Sequence, residues 1–226
     1  QSRSIRRVPG VDVIPIETIT AFFLASLVLA LAPGPDNIFV LTQSAVYGRS
    51  AGLVVTLGLC TGLIVHSTAV ALGIAAVFQA SLAAFTVLKV AGACYLLYLA
   101  WQAFRASNAE IQSHGGVGLG RWGLYRRGII MNVTNPKVSI FFLAFLPQFT
   151  NPARGPLTIQ VMLLGGIFIV ATILVFGSVA FLAGLIGEWL SRSNRAQYII
   201  ARIAGTLLAA LAVKLAVTQR CLLDPF

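Results

Sequence analysis

Two opposite charges in apolar surroundings are the residues best suited to chemistry. Asp36 follows Pro33, Gly34 and Pro35 in "LALAPGPDNIFVLTQ", residues 29–43, and Lys137 follows Asn135 and Pro136 in "NVTNPK", residues 132–137. Proline removes a backbone donor and clashes with the preceding helical turn, so each stretch reads as a break inside a hydrophobic run. Carbonyls freed at such a break are tolerated in a bilayer only where they line a cavity or are buried in protein. Ionised side chains inside membrane spans are rare and mark functional sites. Asp36 would also meet the positive end of the half-helix that starts after its break. A carboxylate and an ammonium at membrane depth could hold the two charges of a zwitterion. Asn37 and Asn135 are the polar neighbours of the pair.

Blander readings stand beside these. Asp36 could be an exposed helix cap in a short turn between two helices. The segment "NIFVLTQSAVY" after it is too short to span a bilayer alone, which favours one broken span. Lys137 could lie near an interface, its stem snorkelling to head groups. Gly58, Gly62 and His66 recur at helical spacing on one face, and Gly58 with Gly62 forms a close-packing pair. His66 then faces a neighbouring helix, either as a hydrogen-bonded packing residue or as a proton carrier. Lys89 and Arg202 lie near the starts of apolar runs and read as interface anchors. Lys214 is the other charge within a run.

The elements that must position these residues are membrane helices. Of the 226 residues 58% are hydrophobic and 10% charged, and mean hydropathy is +0.90. Soluble domains carry about 25% charged residues. No Asp, Glu, Lys or Arg occurs between Arg49 and Lys89, or between Arg154 and Glu188. Each run exceeds the roughly 20 residues a span requires. Six spans are expected, near residues 16–46, 52–78, 84–104, 128–149, 157–186 and 198–217, the first and fourth broken. The expected fold is an all-α integral membrane protein with a single transporter domain over 16–226. Residues 1–15 are set apart as an N-terminal tail of uncertain origin.

The charge of +10 is carried by residues in short connections, as in cytoplasmic loops, and no basic cluster interleaved with aromatics suggests nucleic acid. Arg49, Arg105, Arg121, Arg126, Arg127, Arg192 and Arg195 fall in loops of one side. That count puts both termini outside the cytoplasm. Cys60, Cys94 and Cys221 share no metal or redox spacing, and Cys60 and Cys94 are expected to pack within spans. No cofactor, metal or enzyme motif is present in the sequence.

The two halves also resemble each other. Lys89, Val90, Ala91 and Gly92 align with Arg202, Ile203, Ala204 and Gly205, and aligning Pro35 with Pro136 sets Asp36 opposite Lys137. Three spans per half, about 16–114 and 115–226, make the second half an inverted copy, a plan common in secondary transporters.

Together "LAPGPDNIFVL", "LKVAGACYLLYLAWQAFR" and "RRGIIMNVTNPKVSIFFLAFLPQF" resemble the LysE/RhtB family of bacterial inner-membrane amino-acid exporters. The resemblance runs from about residue 16 to 217, and the family pattern is matched at Pro33, Gly34, Pro35, Asp36, Asn135, Pro136 and Lys137. It implies export of an amino acid or derivative in exchange for protons. The arginine-rich head before residue 16 departs from the family. An exporter of a metal cation or other small solute on the same architecture is the alternative, although a metal exporter would want more carboxylate, thiol or imidazole at membrane depth. A thiol-carrying redox protein of the wider superfamily would need cysteines at the breaks, where there are none. Glycine-rich faces leave a homodimer open.

Overall fold

The structure, a computed structural model, describes residues 13–80, 82–105 and 119–192, together with single positions between 199 and 213. The described residues are helical apart from short connections. Helix α1 spans Ile16–Leu31, α2 Pro35–Tyr47, α3 Arg49–Ala80, α4 Leu82–Arg105, α5 Arg121–Val133, α6 Pro136–Ile140 and α7 Leu157–Arg192. Between α6 and α7 the chain widens into a π turn at Phe141–Phe145, then tightens into 3-10 turns at Leu146–Phe149 and Pro152–Arg154.

Helices α3 and α7 contain stretches, Arg49–Gly73 and Leu157–Ala183, long and apolar enough to cross a membrane alone. The two proline-broken segments qualify as bent pairs: α1 meets α2 at 65°, and α5 meets the segment starting at Pro136 at 49°. These four match the expected spans one, two, four and five. Helix α4 covers the third. The described positions of the sixth are helical but discontinuous.

One boundary and one burial differ from expectation. The fourth span begins at Arg121 rather than near 128, because Trp122, Arg126 and Arg127 stand exposed on one side of α5 while Leu124 and Gly128 face inward. Cys94 is exposed instead of packed, whereas Cys60 is buried. Lys214, Cys221, the side chain of Lys89, the tail 1–12 and the loop 106–118 lie outside the described residues.

Glycine sets the closest helix approach. A Cβ on Gly58 would strike the Tyr125 carbonyl and come within 3.0 Å of Gly128 Cα, and one on Gly62 would come within 2.6 Å of Asn132 Oδ1. The expected Gly58–Gly62 face is therefore the seam on which α3 carries α5, bringing backbones together as small residues do between membrane helices. Thr61 and Tyr125 hydroxyls meet across it at 2.9 Å.

The apolar interior divides into two clusters. One holds Phe22, Leu29, Leu63, Val138, Phe141, Phe142, Phe145, Leu164 and Phe168. The other holds Val40, Ala51, Val55, Leu59, Leu124, Phe176 and Ala180. The π turn helps build the first, since Phe141, Phe142 and Phe145 all turn inward from it; Phe141 and Phe142 meet Phe168 at ring distances of 5.4 and 5.2 Å.

Candidate functional site

Pro35 and Pro136 occupy the first turns of α2 and α6, where a missing N–H costs nothing because the helix has no use for it. Each break therefore starts a new helix with a charged residue just inside it. Asp36 lies in the first turn of α2, and Lys137 in that of α6. The side chain of Asn135 caps α6, its Oδ1 accepting from Lys137 N at 3.0 Å.

The two breaks face each other. Lys137 Nζ donates to Asp36 Oδ1 at 3.3 Å and to the Ala32 carbonyl at 3.0 Å. Both side chains are buried, Asp36 3% and Lys137 5% exposed. The blander readings, an exposed cap and a snorkelling lysine, are excluded by that burial. The ammonium rests against the Ala32 carbonyl at the end of α1, the negative end of that helix; the carboxylate rests at the positive end of α2. Asn37 works on the same break, its Nδ2 donating to Ala30 O at 2.8 Å. Both charges thus have fixed partial charges of opposite sign behind them, which offsets part of the cost of burying an ion pair.

Gly34 leaves room for the contact. Its φ of −169° is open to any residue. A Cβ there, however, would lie 2.6 Å from Asp36 Oδ1 and 3.0 Å from Lys137 Nζ. The glycine between the prolines leaves the space the pair occupies, and any larger side chain would make the pair shift.

Two spaces adjoin the pair. An open cleft of about 390 Å³ is lined by Ala32, Pro33, Leu99, Trp101, Gln102 and Arg105, with Lys137 at its wall. Its size falls in the range of small-molecule sites, about 300–1,000 Å³. A second, much smaller space of about 10 Å³ is bounded by Asp36, Asn132, Lys137 and Thr172, with Phe168 and Phe176 beside it. Along α7, Phe168 belongs to one apolar cluster, Phe176 to the other, and Thr172 stands one turn from each. A polar layer thus lies between the two apolar clusters.

His66 is placed elsewhere. Its Nε2 lies 3.2 Å from the Asn132 carbonyl and therefore donates to it, and its ring lies tilted 5.6 Å from that of Phe142. It borders neither space. Arg202 is exposed, its guanidinium over the Phe104 ring at 5.6 Å, in keeping with an anchor. Among the described residues, no group of three His, Cys, Asp or Glu could hold a metal ion. The sequence did not single out Asn132 or Thr172; the polar "NVTNPK" stretch contained the first, and nothing marked the second.

The family described as LysE type translocator matches residues 27–219. A homoserine/homoserine lactone efflux protein of Salmonella typhimurium is 35% identical over 202 residues, covering 84% of this chain and 94% of that protein. An uncharacterized membrane protein of Vibrio cholerae is 34% identical over 178 residues, 77% of this chain and 84% of its own. One from Bacillus subtilis is 26% identical over 208 residues, 88% of this chain and 98% of its own. No solved structure matches the chain.

Proposed function

The chain belongs to the LysE type translocator family, and we propose from that premise that it exports a small amino acid or amino-acid derivative by proton antiport across the bacterial inner membrane. The observation that carries this reading is the buried pair of Lys137 and Asp36, held at two facing helix breaks beside an open cleft. Discontinuous helices whose ends meet charged groups near the membrane centre are how many secondary transporters hold substrate and coupling ions.

In this reading an α-amino acid approaches through the cleft. Its ammonium replaces Lys137 at Asp36, and its carboxylate takes the Lys137 ammonium. The exchange keeps every charge partnered, so the ion pair opens without leaving a bare charge in a dry interior, a loss that costs about 3–5 kcal/mol when one partner is simply removed. The two apolar clusters act as alternate seals on either side of the polar layer. When the outer seal opens, a proton from the more acidic side neutralises Asp36, its hold on the ammonium weakens, and substrate leaves. Closure of the empty pair then requires the proton to depart on the cytoplasmic side. Asp36 is assigned this role ahead of His66, whose Nε2 is already committed to a carbonyl.

The domain is read as six spans in two inverted halves, 16–114 and 115–226, with both termini outside the cytoplasm. The symmetric placement of Pro35 and Pro136 at the starts of α2 and α6 supports the repeat. Homoserine is the first substrate to try, because a relative is named for its efflux. Inside-out vesicles from an expressing strain should accumulate labelled homoserine when the lumen is made acid, and lose it on adding a protonophore. Accumulation indifferent to the pH gradient would remove the antiport part of the reading, and absence of uptake for a panel of amino acids would remove the substrate class.

A further inference from the structure

Five side chains in the described helices are buried hydroxyls: Ser26, Ser44, Thr56, Ser67 and Thr172. The first four donate to the carbonyl four residues back, Ser26 to Phe22, Ser44 to Val40, Thr56 to Gly52 and Ser67 to Leu63. That is the usual way a hydroxyl is satisfied inside a membrane helix. Thr172, 2% exposed, is the exception among the described residues: its Oγ1 has no partner. Asn132 is 3% exposed, and its Oδ1 is likewise unpartnered. Both border the same small space as Asp36 and Lys137. An unsatisfied buried polar atom costs about 1–3 kcal/mol, so two around one cavity call for an occupant with hydrogen-bonding groups.

Neither is slack. Asn132 is seated against Gly62, where even a methyl would collide with its Oδ1. Thr172 lies one turn from each of Phe168 and Phe176 on α7, on the same face of the helix. The space of about 10 Å³ admits roughly one water, the size of a single hydroxyl.

We propose that Thr172 and Asn132 form a subsite that holds a neutral hydrogen-bonding group on the substrate's side chain, such as a hydroxyl, and so select polar over apolar amino acids. This inference rests on the export reading above: with ammonium and carboxylate engaged by Asp36 and Lys137, the side chain is left to point along the polar layer toward Thr172. The selection is chemical rather than steric. A site built to bond a hydroxyl rejects the analogue lacking it far more strongly than an apolar slot rejects one extra methylene, because its own buried groups are then left unpaired.

Homoserine and norvaline test it, since they differ by hydroxyl against methyl at nearly equal size. Counterflow of each is measured in proteoliposomes holding the purified full chain, as wild type and as Thr172→Val, Thr172→Ser and Asn132→Leu. Wild type should prefer homoserine by about tenfold or more. Thr172→Val and Asn132→Leu should collapse that ratio, and Thr172→Ser, which keeps the hydroxyl, should retain it. A wild type that moves both solutes equally, or a Thr172→Val protein with an unchanged ratio, overturns the subsite while leaving amino-acid export intact. A wild type that moves neither, nor any other amino acid, overturns the export reading itself.

Discussion

Lys137 reaches across 101 positions of sequence to Asp36, and its Nζ stands 3.3 Å from the carboxylate and 3.0 Å from the Ala32 carbonyl at the end of the first half-helix. One ammonium thus closes an ion pair and satisfies a broken backbone. The contact ties the two proline breaks into a single site, and its opening is what a zwitterionic substrate would accomplish.

The roles of the two charges separate with a substrate that lacks a carboxylate. Homoserine lactone keeps an amino group but has no carboxylate for Lys137 to hold. Lys137→Gln should therefore hurt export of free homoserine more than export of the lactone. We expect the lactone-to-homoserine ratio to rise by about tenfold, the scale of one charge-assisted hydrogen bond. Parallel efflux measurements in one strain, with membrane levels of the protein matched, check it. Equal losses for both substrates would detach Lys137 from the carboxylate.

Gly34 gives a steric test that changes no charge. Gly34→Ala places a methyl 2.6 Å from Asp36 Oδ1 and 3.0 Å from Lys137 Nζ. The pair must shift, and export should fall by about tenfold or more, as a small displacement of aligned groups can do. Gly166→Ala, where a Cβ meets nothing within 4 Å, is the control and should transport like wild type.

Exchanging the charges asks whether the contact is direct. Asp36→Lys and Lys137→Asp each place two like charges together and should abolish export. The double exchange restores a pair, but with the ammonium at the positive end of α2 and the carboxylate against the carbonyls of α1. Recovery should consequently be measurable and well short of full, on the order of a tenth, given dipole terms of about 1–2 kcal/mol in partly buried sites. A double variant no better than the singles would argue against direct pairing.

Stability of the frame depends on the seam of α3 and α5. Gly58→Ala drives a methyl into the Tyr125 carbonyl and within 3.0 Å of Gly128 Cα, both backbone atoms that do not yield easily. Thermal unfolding in detergent should move to lower temperature, corresponding to about 1–3 kcal/mol for overpacking. An unchanged midpoint would show that the helices part at little cost.

Much of this was legible before any coordinates, for identifiable reasons. Proline acts locally, so the breaks at Pro33–Pro35 and at Pro136 could be read directly from residue type. The alignment of those breaks set Asp36 opposite Lys137, and the two do meet. The Gly58–Gly62 face was visible because helical spacing alone puts the residues in line. The start of α5 was hidden, since Arg126 and Arg127 made a helix look like a loop; a helix can carry both on its exposed side. The bonding of Asn37 and Thr172 was hidden more deeply. Asn37 finishes a carbonyl seven residues back across a 65° bend, and Thr172 differs from the other buried hydroxyls only in lacking the usual bond. Neither fact depends on residue type or spacing, only on how separate helices face.

The central claim is that Asp36 holds the substrate's ammonium, and counterflow by purified Asp36→Asn in proteoliposomes tests it most directly. Asparagine keeps the shape and removes the charge, and reconstitution removes expression and driving force from the comparison. The account predicts homoserine counterflow at the level of empty liposomes, from protein that runs as a single species on size exclusion. Counterflow within about twofold of wild type, less than the loss of one charge-assisted hydrogen bond would cause, would contradict it.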